Sequence, residues 1–277
     1  MKIDFHAHTR HSDGTYTPTA LIEEAKRRGV AVQAVTDHDT VAGVPEAEAA
    51  GAALGVRVVW GVEFSTRDEA AGDVHVLGFF KGKPDAAFLA LLERQLASRR
   101  ERAEAMLVTL NGMGKPLTWD DLKAAGASDS SVGRPHVARA LVAKGFCANV
   151  PEAFKRWLGP GRPAYVKHRV PAPEEAVKAI RAAGGVPGTA HPGRLRDSGV
   201  LERMAAAGLL ALEVYHPDHR PEQIASLEEF ARNRNLIPTG GSDFHGLEGD
   251  RFAKLGDRPT PPSSLDRIEA FWKTGTL

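Results

Sequence analysis

Apolar residues along this chain fall into two kinds of pattern. Short, nearly continuous apolar runs occur at residues 3–5, 30–35, 56–62, 74–79, 186–189, 211–214 and 236–238. Runs of this length, several of them rich in valine, predict strands buried on both faces, as in a parallel sheet. Between most of these runs, apolar residues recur at helical spacing, as at 19–28, 174–183 and 221–233, which predicts amphipathic helices. Thr17-Pro18 and Pro171-Ala172-Pro173 have the composition of helix starts, where proline's missing N–H costs nothing. The alternation predicts an α/β domain in which helices cover a parallel sheet.

The alternation stops after Phe80 and resumes only at Val186. The gap reads as helical, at 86–111, 119–125, 137–144 and 151–157, with glycines between the segments. A helical insertion at 82–165 is therefore expected within a barrel-sized domain formed by 1–81 and 166–277.

Composition narrows the functions open to such a fold. With 42% hydrophobic and 26% charged residues in 277, the chain has ample material for a core. A net charge of +1 argues against a broad basic surface that coats nucleic acid, so any grip on phosphate must be local. The single cysteine, Cys147, excludes a disulfide framework and a thiolate-rich zinc site, and reads as a buried thiol in a reducing compartment. The start MKIDFHAHT lacks the features of a secretory signal, and no apolar run reaches the roughly 20 residues needed to span a bilayer. A cytoplasmic protein with no membrane association and no obligate protein partner is expected.

The histidines carry the chemistry. His6 and His8 follow the first predicted strand, His38 the second, Glu63 closes the third, His75 sits on the fourth, His191 follows the fifth, and Asp243 and His245 follow the seventh. In a barrel of parallel strands the C-terminal strand ends converge on one face, so these residues become neighbours. His6 and His8, two apart in an extended segment, point to one side and so suit a shared metal ion. Imidazole and carboxylate donors suit zinc, manganese or iron, whereas magnesium prefers an all-oxygen shell. Ions held by such donors make a bound water available as hydroxide near neutral pH.

Six segments carry a resemblance: DFHAHTRHSDG (4–14), TDHDTVAG (36–43), GVEFS (61–65), HVLGF (75–79), AHPGR (190–194) and GSDFH (241–245). Their order and content resemble the polymerase-and-histidinol-phosphatase (PHP) family of metallophosphoesterases. Within it, SVGRPHVARAL (131–141) and GRPAYV (161–166) are similar to the insertion of the nucleotide and oligonucleotide phosphatase branch. The resemblance implies a distorted seven-stranded TIM-like (β/α) barrel with a helical insertion acting as a substrate lid. It implies three divalent metal ions: His6, His8, Glu63 and Asp243 on the first, Glu63 with His75 and His191 on the second, and Asp13, His38 and His245 on the third.

Further candidates surround these nine residues. Asp4, Asp37 and Asp39 lie beside ligand histidines, where carboxylates commonly fix imidazole orientation, with Asp37 the strongest of the three. Arg134 and His136 in the insertion, Arg162 with Lys167 at its far boundary, and Arg194 after His191 are candidates for gripping substrate phosphate. His216, after the sixth strand, is a candidate to donate to a phosphate or to protonate the leaving group. Glu213 reads as core-facing structure, and His11, His168 and His219 as surface or supporting residues. The expected activity is hydrolysis of terminal phosphates on nucleotides such as 3′,5′-bisphosphonucleosides, or on 5′-phosphorylated short RNA. Histidinol-phosphate phosphatase and a non-catalytic metal-binding module are the alternatives.

Overall fold

The computed structural model describes residues 1–128, 132–246 and 253–276; Ser131, which opens one of the segments of resemblance, lies outside them. In chain order the elements are β1 (Lys2–Asp4), α1 (Pro18–Arg27), β2 (Val30–Val35), α2 (Val44–Leu54), β3 (Arg57–Asp68) and β4 (Gly72–Phe80). Next come α3 (Ala86–Gly112), α4 (Trp119–Ala124), α5 (Arg134–Ala143), α6 (Val150–Ala153) with a π-turn at Phe154–Leu158, and α7 (Pro173–Ala182). The chain ends through β5 (Val186–Thr189), a 3-10 turn (Pro192–Arg194), α8 (Gly199–Ala206), β6 (Ala211–Tyr215), α9 (Pro221–Asn233), β7 (Ile237–Gly240) and α10 (Pro262–Thr274).

All seven apolar runs are strands of one sheet, ordered β1 to β7. The expectation of a purely parallel sheet fails at β4, which runs antiparallel to both β3 and β5. The reason is local. A parallel neighbour needs a crossover of about a dozen residues, but only 69–71 separate β3 from β4. Asp68 Oδ1 accepts the N–H groups of Ala70 and Ala71, and Gly72 takes a φ of +90°, which closes a hairpin instead. The reversal places His75 opposite Ser65 near the start of β4, at the sheet end where its parallel neighbours finish. A residue early in an antiparallel strand thus joins the C-terminal ends of the others.

Beyond β1 and β7 the edges of the sheet approach each other. Phe5 N–H donates to Gly240 O at 3.1 Å, Asp243 N–H to His6 O at 2.9 Å and His8 N–H to Phe244 O at 2.8 Å.

Alternation along the strands divides the core. Ile3, Phe5, Val32, Ala34, Leu77, Phe79 and Ile237 pack together on one face, joined by Leu265, Ile268 and Phe271 of α10. Val35, Val62, Phe64, Val76 and Val214 face the helices that cover the sheet. Both faces are buried, which is why the strands read as continuous apolar runs rather than alternating ones. A separate apolar cluster, including Met106, Leu110, Leu122, Leu141 and Leu158, lies wholly within the helical stretch between β4 and β5. The long α3 links the two cores, with Phe88 and Leu92 in the sheet-side cluster and Ala103 to Leu110 in the other. Cys147 is buried in this second cluster.

Candidate metal centre

The segment after β1 stays extended, so Ala7 and the two flanking histidines point to opposite sides. Thr36 N–H donates to Ala7 O at 2.9 Å on one side, while the 243–244 backbone pairs on the other. His6 and His8 are fully buried. Gly241 permits this approach, because a Cβ there would sit 2.2 Å from His6 Cβ.

Glu63, at the point where β3 passes this segment, is the hub. Its Oε2 lies 3.3 Å from His6 Nε2, 3.1 Å from His8 Nε2 and 3.2 Å from His38 Nδ1. Its Oε1 lies 2.8 Å from His75 Nδ1 and 3.0 Å from His191 Nε2. Asp243 Oδ1 is 3.4 Å from His6 Nε2 and 3.3 Å from His8 Nε2, and Asp13 Oδ1 is 3.2 Å from His245 Nε2. The fold therefore gathers the eight residues singled out from the strand ends, together with Asp13. They form overlapping groups: His6, His8, Glu63 and Asp243; His8, Asp13, His38 and His245; and His38, Glu63 and His75. His38 stands between two of these, facing Glu63 with Nδ1 and Asp13 with Nε2.

These residues fit metal ions on two counts. His6 Nε2, His8 Nε2, His38 Nδ1 and Asp13 Oδ1 are buried without a hydrogen-bond partner among the described residues. Such atoms are costly unless something fills the space between them. The spacing fits as well, since donors about 2.1 Å from an ion in tetrahedral or octahedral geometry lie about 3.0–3.4 Å apart. Electrostatics agree with a cluster built for positive charge. Burial alone raises the Glu63 and Asp243 carboxyls, yet the surrounding imidazoles hold both well below the usual range. Burial lowers His8, but Asp243 and Glu63 outweigh it and push the ring up to about 10.

The backbone is also unusual here. Asp39, His191 and Asp243 adopt φ of 55°, 34° and 51°, a left-handed region that costs a non-glycine residue about 1 kcal/mol or more. Only four non-glycine residues among those described do so, and three belong to this cluster or its border.

The supporting shell differs from the sequence expectation. None of the three aspartates bonds an imidazole. Asp37 accepts from Thr9 N–H, Thr9 Oγ1 and Ser12 Oγ at 2.6–2.7 Å, and so fixes the loop that carries Asp13. Asp4 accepts the backbone N–H groups of His6, Ser242 and Gly256. Asp39 accepts from Ser65 N–H and from Arg99 Nε. Glu213, read as core-facing structure, takes the orienting role. Its Oε1 lies 2.9 Å from His6 Nδ1 and its Oε2 accepts His191 N–H at 2.5 Å, so one buried carboxylate positions two of the nine residues. A glutamate inside the apolar run ALEVY was the available signal. His216 is buried; its Nδ1 accepts Asp218 N–H, and its Nε2 lies 3.3 Å from Asp243 Oδ2. His219 is not a surface residue: it is buried, bonded to Val214 O and accepting Gly193 N–H.

Two cavities open beside the cluster. The larger, about 700 Å³, is bounded by Asp13, Asp243 and His245, by Arg139, Arg194 and His216, and by the apolar walls of Val150 and Phe154. The smaller, about 160 Å³, lies against His38 and His75 and is lined by Arg99, Arg102, Arg134 and His168. Arg134 thus lines the smaller cavity and Arg194 the larger. His136 does not: its Nδ1 accepts Gly133 N–H at 3.0 Å at the start of its own helix, and its ring lines neither cavity. Arg162 is exposed in a turn and lines neither cavity. Arg99, Arg102 and Arg139 were not foreseen. Gln95, Arg99 and Arg102 are spaced four and three apart on α3, a polar stripe on one helix face.

The arrangement is that of a metal-dependent phosphoesterase, and comparison with known proteins agrees. The model of the PHP domain matches residues 4–113. A 5′-3′ exoribonuclease from Haemophilus influenzae is 37% identical, with 88% of this chain and 90% of that protein covered. A 3′,5′-nucleoside bisphosphate phosphatase from Chromobacterium violaceum is 36% identical, over 90% of this chain and 89% of the relative. A crystal structure assigned as a metal-dependent phosphoesterase, from Bifidobacterium adolescentis, superposes with a TM-score of 0.88 at 34% identity, covering 97% of this chain and 95% of that one. The chain belongs to the PHP family of metal-dependent phosphoesterases. No helix among the described residues is long and apolar enough to cross a membrane.

Proposed function

We propose that the protein hydrolyses a terminal phosphate of a nucleotide, either a 3′,5′-bisphosphonucleoside or a 5′-phosphorylated short RNA, in the cytoplasm. The observation that carries this reading is the nine-residue cluster, of which Asp13, Asp243 and His245 line a cavity of about 700 Å³, a volume typical of sites for ligands of nucleoside size. Its overlapping donor groups suit three divalent ions of manganese, zinc or iron, with His6, His8, Asp13, His38, Glu63, His75, His191, Asp243 and His245 as ligands. When bound, such ions supply a water acidified towards neutral pH and positive charge for the phosphoryl oxygens.

The remaining steps belong to side chains. Because His216 Nδ1 accepts the Asp218 N–H, the neutral ring carries its proton on Nε2, at the wall of the larger cavity. From there it offers a hydrogen bond to the leaving oxygen in place of its 3.3 Å contact with Asp243 Oδ2. Arg194, held by Asp218 at 2.5 Å and reaching Asp243 at 3.4 Å, presents a guanidinium to the phosphate beside the cluster. Val150 and Phe154 give the nucleoside an apolar wall, and with Arg134 and Arg139 they make the helical stretch at 82–165 a lid over the 1–81 and 166–277 barrel.

The two relatives are named for nucleotide or RNA substrates, which favours this reading over histidinol phosphate. The test is phosphate or nucleotide release by manganese-loaded protein from 3′,5′-bisphosphoadenosine, 5′-phosphorylated short RNA and histidinol phosphate. Turnover of histidinol phosphate well above both nucleotides would reject the proposal.

A further inference from the structure

An imidazole has two ring nitrogens, and a metal ion takes the one that carries no proton. What faces the other nitrogen decides which one that is. His6 Nδ1 lies 2.9 Å from Glu213 Oε1, and His245 Nδ1 lies 2.8 Å from Asp243 O. An ionised carboxylate or a carbonyl oxygen only accepts, so these contacts put the ring proton on Nδ1 and leave Nε2 its lone pair. His8 differs. Its Nδ1 faces a hydroxyl, Ser12 Oγ, at 3.3 Å. A hydroxyl can donate or accept, so this contact alone leaves the His8 tautomer open.

Asp37 closes the choice. Ser12 Oγ lies 2.6 Å from Asp37 Oδ1, and a hydroxyl has one proton to give. That proton goes to the carboxylate, where Thr9 N–H and Thr9 Oγ1 also donate, at 2.7 and 2.6 Å. The Thr9 hydroxyl is oriented in the same way, since it donates to Asp37 while accepting the His11 N–H at 3.1 Å. With its proton committed to Asp37, Ser12 Oγ accepts from His8 Nδ1–H. Nε2 is then the nitrogen with a lone pair. It is the same atom that is buried without a hydrogen-bond partner among the described residues, 3.1 Å from Glu63 Oε2 and 3.3 Å from Asp243 Oδ1. His8, Thr9, Ser12 and Asp37 are all buried, so bulk water does not compete for these contacts.

We infer that Ser12 is a positioning residue, which relays the acceptor character of Asp37 to His8 and holds that ring with Nε2 towards the metal site. His8 belongs to two donor groups, one with His6, Glu63 and Asp243 and the other with Asp13, His38 and His245. Asp37 also anchors the turn at 9–14, in which the Ser12 and Gly14 N–H groups both donate to Thr9 O at 3.0 Å, and Asp13 stands in that turn. One carboxylate thereby sets a ring shared by two groups and the loop that bears a further ligand. A neutral hydroxyl orients a ring without the charge that Glu213 places beside His6, so Ser12 adds less to metal affinity than Glu213 does. This rests on the metal-dependent reading above and deepens it.

The test reads metal binding and ring protonation as well as turnover. Wild type, Ser12→Ala and Thr9→Val are compared by zinc titration of stripped protein and by nitrogen-15 NMR of the zinc-loaded histidine rings, where the two tautomers give different shifts. In wild type the His8 proton is expected on Nδ1 and slow to exchange. In Ser12→Ala that proton exchanges faster and zinc binds about 10-fold more weakly, the lower end of the effect of losing an outer partner of a ligand. Turnover of 3′,5′-bisphosphoadenosine then recovers as manganese is raised. Thr9→Val loosens the turn but leaves the His8 proton where it was. A zinc-loaded wild type with the His8 proton on Nε2 overturns the inference. So does a Ser12→Ala protein whose zinc affinity and His8 exchange match wild type, and so does equal loss of affinity in Ser12→Ala and Thr9→Val with His8 exchange unchanged, which would make Ser12 a loop anchor only. Those results leave the metal reading intact, whereas a wild type that binds neither zinc nor manganese overturns both. Should Ser12→Ala fail to fold, Ser12→Cys, which nearly keeps the volume but accepts a hydrogen bond weakly, carries the same measurements with smaller effects in the same direction.

Discussion

The rim of the sheet and the inner face of the helical stretch proposed as a lid meet at one site but are built on opposite terms. On the rim, nine imidazole and carboxylate side chains converge from almost every strand, and the unpartnered nitrogens of His6, His8 and His38 face carboxylate oxygens of Glu63 and Asp243 at 3.1–3.4 Å. On the lid side, Arg99, Arg102 and Arg134 come from two helices, and the surplus there is positive. One half is prepared for cations and the other for anions. A phosphoester needs both at once, because its oxygens meet the ions while its remaining charge needs a partner elsewhere. The two halves also have separate apolar cores, bridged by α3.

The comparison predicts that damage to the rim abolishes chemistry without unfolding the chain. His38, placed between two donor groups, is the sharpest case. His38→Ala is expected to lower kcat by about 10³-fold, a loss of the size seen when a group stabilising developing charge is removed. Metal content falls with it, while the melting curve stays near that of wild type. Near-normal turnover in that variant would take His38 out of the site.

Damage to the lid core should do the reverse. Leu110 is fully buried in the second cluster, and Leu110→Ala is expected to cost about 2–5 kcal/mol through lost contacts and a cavity. Hydrogen exchange should show protection falling across the helices of that cluster while β1 to β7 keep theirs. If sheet and lid lose protection together, the two cores are one cooperative unit and the comparison fails.

The rim was legible in the sequence and the lid face was not, for a physical reason. Strand residues have few directions to point, so an apolar run followed by a histidine fixes both the location and the side of that histidine. Even the unexpected antiparallel β4 did not disturb the outcome, since reversing the strand carried His75 to the same sheet end. On α3, by contrast, Arg94, Arg99, Arg100 and Arg102 share one short stretch. Arg100 stacks over Trp119 and pairs with Glu104, whereas its neighbour Arg99 reaches Asp39 and Ser65. Only packing tells these apart. The helix passes from one core to another, so its buried side changes along its length and no single periodicity marks it. The motif that put His136 and Arg162 forward has a related limit: it places them in the helical stretch but says nothing about which way they face.

Glu213 sharpens the comparison from inside the rim. It touches His6 and the His191 backbone but lines neither cavity. Glu213→Gln keeps the shape and removes the charge that raises His6 basicity, so metal affinity is expected to fall about 10- to 100-fold. Titration of stripped protein with manganese checks this. Activity at saturating manganese should recover most of the way, a split that loss of a group touching substrate would not produce.

The smallest effect concerns pH and falls on the lid. Burial, and then Arg139, hold His136 down to about 4, against about 6.5 in an unfolded chain. The folded lid therefore binds fewer protons than the unfolded one between these values. Its stability is complete above about pH 6.5 and declines by about 1.4 kcal/mol per unit as pH falls towards 4. The carboxylates of the rim are held well below their usual range and give up stability only in stronger acid, while its imidazoles shift in opposite directions, His191 and His38 downward and His8 upward, so their contributions oppose one another. Hydrogen exchange at pH 7 and pH 5.5 should therefore find the α5 amides less protected at the lower pH while the central strands change little. In His136→Gln, which keeps a side chain able to accept the Gly133 N–H, the pH dependence of α5 should flatten even though its protection at pH 7 is somewhat lower. An unchanged slope in that variant would move the acid sensitivity to another group, with His168, which lines the smaller cavity, the next candidate.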